Sequence, residues 1–398
     1  MRGNFRFCTE SRVLCSREKA AFFLFVLPPA TAVVINTKMK QRRGLTSAAL
    51  LTSIVFTLLL VNVKSFAPLA ANHRLSASTI VQLRSSRLGD IAGIVYEEPV
   101  FRPPAEWRSL ILQVTIGCSW NRCTFCEMYQ EKTFRAKPIA DIAQDLDDVV
   151  ASGAADYVRD VFLADGDAMT LPTGQLEHIL ELIKDRLPRV RRISSYCLPR
   201  NIRGENVEAL TKLRSKGLSL VYVGCESGDD VVLSAVSKGE TFDSSLDALK
   251  KLKDAGIKRS VMILIGLGGR EHSERHAKRS AALCNEAKPE YLSVLTTSFP
   301  RGKGRVGMGY ENNEDSKESF LELTPREGLA ELETFLESIH MPRNGKTIFR
   351  SDHASNYLVL KGRLGRDRDR MLQELRDILD ASPEEDEKNL RPEWARGL

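Results

Sequence analysis

The sequence is short of the residues that would close a structural metal site. Its 398 residues include six histidines and eight cysteines, and no histidine lies within a few residues of the one C-x2-C pair, Cys123-Thr124-Phe125-Cys126. Half of the paired spacing that a tetrahedral zinc knuckle needs is therefore missing. Nothing resembles a paired disulfide framework either, because Cys197, Cys225 and Cys284 stand alone and Cys8 and Cys15 fall near the start. Positive charge is also scarce where a fold can be read. Of 58 basic and 52 acidic residues, 13 and 3 fall in residues 1–90, leaving 45 and 49 in a mildly acidic remainder. Composition thus offers no argument for nucleic-acid binding. With 42% hydrophobic and 28% charged residues, the whole chain is of ordinary globular composition.

One grouping is present. Cys118, Cys123 and Cys126 lie in Gly117-Cys118-Ser119-Trp120-Asn121-Arg122-Cys123-Thr124-Phe125-Cys126, directly after the apolar run 109–116. Three thiolates on one tight loop can hold three irons of a 4Fe-4S cluster, since soft sulfur ligands suit such clusters. A fourth iron is then left without a protein ligand and is open to a substrate or cofactor. The competing reading is a structural zinc site with a distant fourth ligand.

Residues 1–90 read as a targeting leader. Lys40, Arg42 and Arg43 precede an uncharged run over 45–63, followed by Lys64-Ser65-Phe66-Ala67-Pro68 and a Ser- and Arg-bearing stretch with no acid before Asp90. The first part fits a signal peptide and the second a transit peptide. Together they resemble the bipartite leaders of algae with secondary plastids, so import into a plastid is expected, with Met39 a better start than Met1. The mature protein is then not membrane-embedded. The alternative is a retained membrane anchor formed by residues 45–63, which are long enough to span a bilayer.

From residue 109 the chain alternates short apolar runs with amphipathic stretches. The pattern predicts strands at 109–116, 160–164, 191–196, 219–225, 259–265 and 291–297, with helices at about 138–152, 173–186, 204–216, 229–236, 243–255 and 271–286. Such βα order implies a parallel sheet with right-handed crossovers. The expected fold is α/β, a partial (β/α)6 TIM-like barrel over 104–300, with a doubly wound open sheet as runner-up. Residues 301–398 form a C-terminal extension, in which the Gly-rich stretch 301–318 is expected to be a mobile loop and helices fall at about 325–339 and 367–380. Between them, the polar block 347–357 offers Arg350, His353 and Asn356 as substrate contacts at the barrel mouth.

The cysteine triplet resembles the cluster loop of the radical S-adenosylmethionine (SAM) superfamily, usually C-x3-C-x-aromatic-C. Phe125 fills the aromatic slot, and the first spacing is one residue longer, giving C-x4-C-x2-C. The resemblance covers about 105–365 and is nearest to Elp3/NifB-like cores of unassigned reaction. It implies a 4Fe-4S cluster held by Cys118, Cys123 and Cys126, SAM as a second cofactor, a reductant such as ferredoxin and an unidentified small-molecule substrate. It also implies SAM contacts at the strand ends, where reactive groups gather in barrels. Gly166 and Asp167 match the Gly-Glu of the superfamily's Gly-Gly-Glu motif, with Asp165 in place of the first Gly. Ser195 ends the third strand, Glu226 and Ser227 match a Gly-x-Glu-Ser-Gly block at the fourth, and Gly266 and Gly268 belong to the fifth-strand glycine segment.

Plainer readings stand beside these: a helix-capping Asp167, an N-capping Glu226, and Lys238 as a solvated lysine in preference to a cation near SAM. No catalytic acid or base is assigned. No fourth cysteine follows the triplet as in oxygen-independent coproporphyrinogen oxidases, and no cobalamin domain, TRAM-like domain or second cysteine cluster is read. The competing function is a non-catalytic Fe-S or zinc protein serving as a plastid interaction module. A fluorescent fusion of residues 39–90 is expected to enter the plastid; retention in the endoplasmic reticulum would favour the anchor instead.

Overall fold

The computed structural model describes residues 92–299, 302–312 and 319–396. The leader and the 45–63 run lie outside the described residues, as do 301 and 313–318 of the Gly-rich stretch. The first strand, β1 (Leu110–Gln113), stops short of the predicted 109–116. The chain leaves the sheet there, and β2 (Thr115–Ile116) pairs antiparallel with β3 (Arg135–Ala136). That two-residue ladder clasps the base of the cysteine loop.

Helix α1 (Ile139–Ala151), β4 (Asp160–Ala164), α2 (Thr173–Arg186), β5 (Arg192–Cys197), α3 (Pro199–Arg203) and α4 (Val207–Ser215) follow. Then come β6 (Leu218–Glu226), α5 (Asp230–Ala235), α6 (Phe242–Asp254), β7 (Lys258–Ile265), α7 (Gly269–Ala287) and β8 (Tyr291–Thr296). The helix predicted at 204–216 starts only at Val207, since Asn206 caps it by accepting from Ala209 N at 2.7 Å, and the short α3 before it was not predicted. The extension adds α8 (Gly304–Glu311), α9 (Pro325–Glu337), β9 (Ile348–Arg350), β10 (Lys361–Arg363) and α10 (Leu364–Asp380).

The strands form one eight-stranded sheet in the order β1-β4-β5-β6-β7-β8-β9-β10. All neighbours are parallel except the β9–β10 hairpin. Neither edge strand pairs with the other, so the barrel is open. The six parallel strands expected from the sequence are present, and the sheet continues through the extension. There β9 runs parallel to β8, so part of the polar block is strand.

Alternation along the strands sorts two faces. Leu112, Leu163, Val221, Val223, Val261, Ile263, Leu292 and Phe349 pack outward into the main core under the helices. Ile111, Phe162, Leu220 and Tyr222 face inward, with Tyr196 packed on them. Phe162 meets Tyr196 edge-on at a ring separation of 5.1 Å, filling the β4–β6 side of the interior. Among the described residues no helix is long and apolar enough to cross a membrane.

The N-terminal end of the barrel is closed by Glu106. Its fully buried carboxylate accepts from Tyr222 Oη at 2.6 Å, Arg192 Nη2 at 2.9 Å and Ser109 Oγ. Removing the Glu106 carboxylate leaves the buried Tyr222 hydroxyl without its acceptor. Glu106→Ala is expected to lower unfolding stability by roughly 3 kcal/mol, and Glu106→Gln by less, because it still accepts from Tyr222. A urea midpoint unchanged in Glu106→Ala would contradict this.

Candidate active site

The cysteine loop leaves the sheet after β2 and lies across the C-terminal ends of β4 and β6. Cys123 is buried, and Cys118 and Cys126 are half-buried. Burial pushes the Cys123 thiol up to about 12, against the pull of the Lys238 ammonium, and raises Cys118 and Cys126 as well. The three thiols are close enough for Cys123 to feel the charge of the other two. Among the described residues no three His, Cys, Asp or Glu side chains converge on a single metal ion. A cluster does not require that convergence, because each thiolate ligates a different iron. Cys197, Cys225 and Cys284 are buried in the core outside the sheet, so none of them joins the triplet.

Carboxylates at the ends of β4 and β6, with the cations they pair with, surround the loop. Gly166 lies so near it that a Cβ there would come within 2.7 Å of Cys118 Cα and of Gly117 O. Only glycine lets the second strand end approach this closely. Asp165 is fully buried and receives Lys132 Nζ at 2.7 Å and Gly117 N at 3.3 Å. The same ammonium donates to Glu97 O and Pro99 O at 2.6 and 2.7 Å. Asp167, also fully buried, accepts from Ser119 N at 2.9 Å, Ser119 Oγ and Asn201 Nδ2 at 3.3 Å. Burial raises the pKa of both aspartates, and these donors oppose it.

Glu226 ends β6 after a bulge that re-aims it, and its φ of +64° is one that side chains other than glycine rarely adopt. Its carboxylate accepts from Lys238 Nζ at 3.1 Å, and Gly224 leaves the room: a Cβ there would lie 2.3 Å from Glu226 Oε1. Lys238 is 3% exposed and is not the solvated lysine expected from the sequence. Burial disfavours its ammonium, but Glu226, Cys123 and Cys118 outweigh that and hold its pKa above the ordinary lysine value. The segment carrying it is tied to the cysteine loop by Thr124 N to Val236 O at 3.0 Å and Trp120 Nε1 to Ser237 O at 2.8 Å. Arg200 stacks 3.5 Å over the Trp120 ring and covers this joint.

A third clamp comes from α8, within the stretch expected to be a loop. Val306 and Tyr310 bury one helical face against Val232, Ala235 and Leu267. Arg305 then reaches the loop, donating to Cys126 O at 3.0 Å and Cys123 O at 3.1 Å. Neither Arg305 nor the burial of Lys238 was anticipated from the sequence.

The other expected residues separate. Ser195 faces the helices, in register with Leu163 and Val221, and donates to Leu163 O at 3.3 Å and Tyr196 O at 2.8 Å. Tyr196 takes the inner face instead. Ser227 is fully buried behind the strand end, with Oγ 2.7 Å from His276 Nδ1. His276 Nε2 lies 3.0 Å from Leu264 O, which only accepts, so Nε2 carries a proton. Gly266 turns the chain at φ +86° and gives its amide to Glu331 Oε1 at 2.7 Å, and Gly268 precedes α7. Asn356 is buried, fastening β8 through Val294 O at 2.8 Å and Thr296 Oγ1 at 3.0 Å. His353 closes a turn with Ser355 Oγ at 2.9 Å.

Residues 112–280 match the radical SAM superfamily. The chain carries a radical SAM domain. The 4'-phospho-dehydrooxetanocin synthase of Priestia megaterium is 26% identical over 164 residues, 37% of this chain and 22% of that protein. The tRNA-2-methylthio-N(6)-dimethylallyladenosine synthase of Alkaliphilus oremlandii is 23% identical over 217 residues, 52% of this chain and 43% of that one. The chain therefore spans less than half the length of these curated relatives. Coproporphyrinogen III oxidase from Escherichia coli aligns over 66% of this chain and 55% of its own, at 14% identity and a TM-score of 0.43.

Radical SAM enzymes use a 4Fe-4S cluster and SAM, and they need a reductant and a small-molecule substrate. The residues fit this: three thiols on one loop, a strand end that only glycine can bring so near, and a buried cation facing the thiols. In a water-poor site the charge around a cluster helps to set its potential. Lys238→Met is expected to move the midpoint of the reconstituted cluster to more negative potential, because a positive charge is lost. A redox titration followed by electron paramagnetic resonance that shows no shift would detach Lys238 from the cluster.

Proposed function

We propose that this radical SAM enzyme uses the cysteine loop as the seat of reductive SAM cleavage and acts on a substrate inside the barrel. The observation that carries the reading is the assembly of Cys118, Cys123, Cys126, Asp167 and the Glu226–Lys238 pair at the C-terminal ends of the parallel strands β4 and β6. When bound, the cofactors supply the difficult chemistry: one electron passes to SAM, which yields methionine and a 5'-deoxyadenosyl radical that abstracts hydrogen from the substrate.

The chain's own work is to hold and to exclude. Asp167 spends three acceptor positions on Ser119 and Asn201, which leaves carboxylate capacity for an ammonium such as that of SAM. Glu226 offers its second oxygen, and the Trp120–Arg200 stack shields the loop from water. A plastid location is supported by the composition of residues 39–90, and ferredoxin is the reductant that location suggests.

Anaerobic reconstitution tests the reading. The protein is expected to take up about four irons per chain and to turn SAM over to 5'-deoxyadenosine on addition of dithionite. About one bound zinc and no SAM cleavage would establish the metal-binding interaction module instead.

A further inference from the structure

The inner face of the barrel is not uniformly filled. On the β4–β6 side Phe162, Tyr196 and Tyr222 pack ring against ring. Next to it, Met262 and Tyr291 pack on this cluster and Leu264 packs on the one that Phe125 of the cysteine loop also joins, and these three, with Ser293 and Leu295, remain partly exposed. Register explains why these residues share a wall. Met262 pairs with Ser293, and Ser293 with Arg350, so the three stand in one row across β7, β8 and β9. Phe349, one residue earlier on β9, is fully buried in the outer core, which fixes Arg350 on the inner face at the C-terminal end of its strand.

Charge on this face is otherwise matched. Asp165 has Lys132, Glu106 has Arg192 and Tyr222, and Glu226 has Lys238. Close to β9, Asp352 is taken by Lys361 at 3.1 Å. Among the described residues the Arg350 guanidinium faces the Tyr291 ring, 5.9 Å from its Cζ, and meets no carboxylate and no carbonyl. A half-buried guanidinium on an apolar wall without an anion is a group waiting for one, because its planar fork matches a carboxylate or phosphate in a bidentate fashion.

We propose that Arg350 anchors the substrate, and that the substrate is an anion, a carboxylate or phosphate ester, with an apolar body lying along Met262, Leu264 and Leu295. Ser293, beside Arg350 in the same row, supplies a hydroxyl to the same anionic group. The word substrate rests on the reading of the preceding subsection; the anion site itself does not. It places the bound molecule inside the barrel, in a row three residues below the ends of β7 and β8, on the side from which the strands deliver reactive groups.

The test is arginine-selective labelling of the full chain with phenylglyoxal, read peptide by peptide by mass spectrometry, with and without reconstituted iron. Benzoate and phenyl phosphate are compared with chloride at equal ionic strength. Arg350 is expected to react readily in chloride and several-fold more slowly with benzoate, phenyl phosphate or both, the effective probe naming the anion. Exposed arginines already in ion pairs, such as Arg370 with Glu374, should not respond. The thermal stabilisation given by the effective probe should vanish in Arg350→Gln. An Arg350 that does not react, or that reacts equally in all three salts, overturns the proposal. So does protection of Arg350 by SAM in the reconstituted protein, which would make the guanidinium a cofactor ligand. Because the labelling also runs without iron, failure to cleave SAM would sink the radical reading while leaving this result legible.

Discussion

The buried ion pair between Lys132 and Asp165 is the constraint on which the site depends. The ammonium is 4% exposed and the carboxylate fully buried, and the ammonium also takes two carbonyls of the segment before the barrel. One side chain therefore ties together the far end of the cysteine loop, the end of β4 and the incoming chain. Taking two charges out of water is expensive, and such a pair need not beat a hydrophobic replacement in stability. What it provides is position. With Asp165 held, Gly117 N reaches the same carboxylate at 3.3 Å and Gly166 packs against Cys118.

The remaining fastenings follow the same logic from other directions. Asp167 holds Ser119, next to Cys118, while Arg305 holds the carbonyls of Cys123 and Cys126. Lys238 enters between them with Glu226 as its partner. A loop that must present three thiols has little room for regular backbone hydrogen bonding, so Asp165 and Asp167 beyond β4 and Arg305 of α8 satisfy it instead. The cost is visible at Glu226, whose left-handed backbone persists because the bulge and the Lys238 contact both hold it. Farther from the loop, Ser227, His276 and Glu331 form a buried chain that joins the ends of β6 and β7 to α9. It makes the extension part of the barrel's support.

Much of this was legible in the sequence, and the rest was hidden for definite reasons. The six parallel strands announced themselves as apolar runs because both of their faces are largely buried. Strands β9 and β10 did not, being three residues each and carrying Arg350, Lys361 and Arg363. Helix α8 reads as a loop because it contains Gly304, Gly307 and Gly309; Gly309 is needed where a Cβ would lie 2.3 Å from Ala235 O. The ligand loop was plain from spacing, but the partner of Lys238 lies 12 residues away across a turn, and the carbonyls that Arg305 binds lie 179 and 182 residues away. Ser195 against Tyr196 turned on a single residue of strand parity, which exchanges one face for the other.

The central claim is that three cysteines on this loop leave one iron of a cluster free for SAM. Electron paramagnetic resonance of the reduced, reconstituted protein tests it most directly. The account predicts a 4Fe-4S signal whose shape changes when SAM is added, and loss of that signal in Cys123→Ala. A protein that forms no such signal, or one whose spectrum is indifferent to SAM, would contradict it.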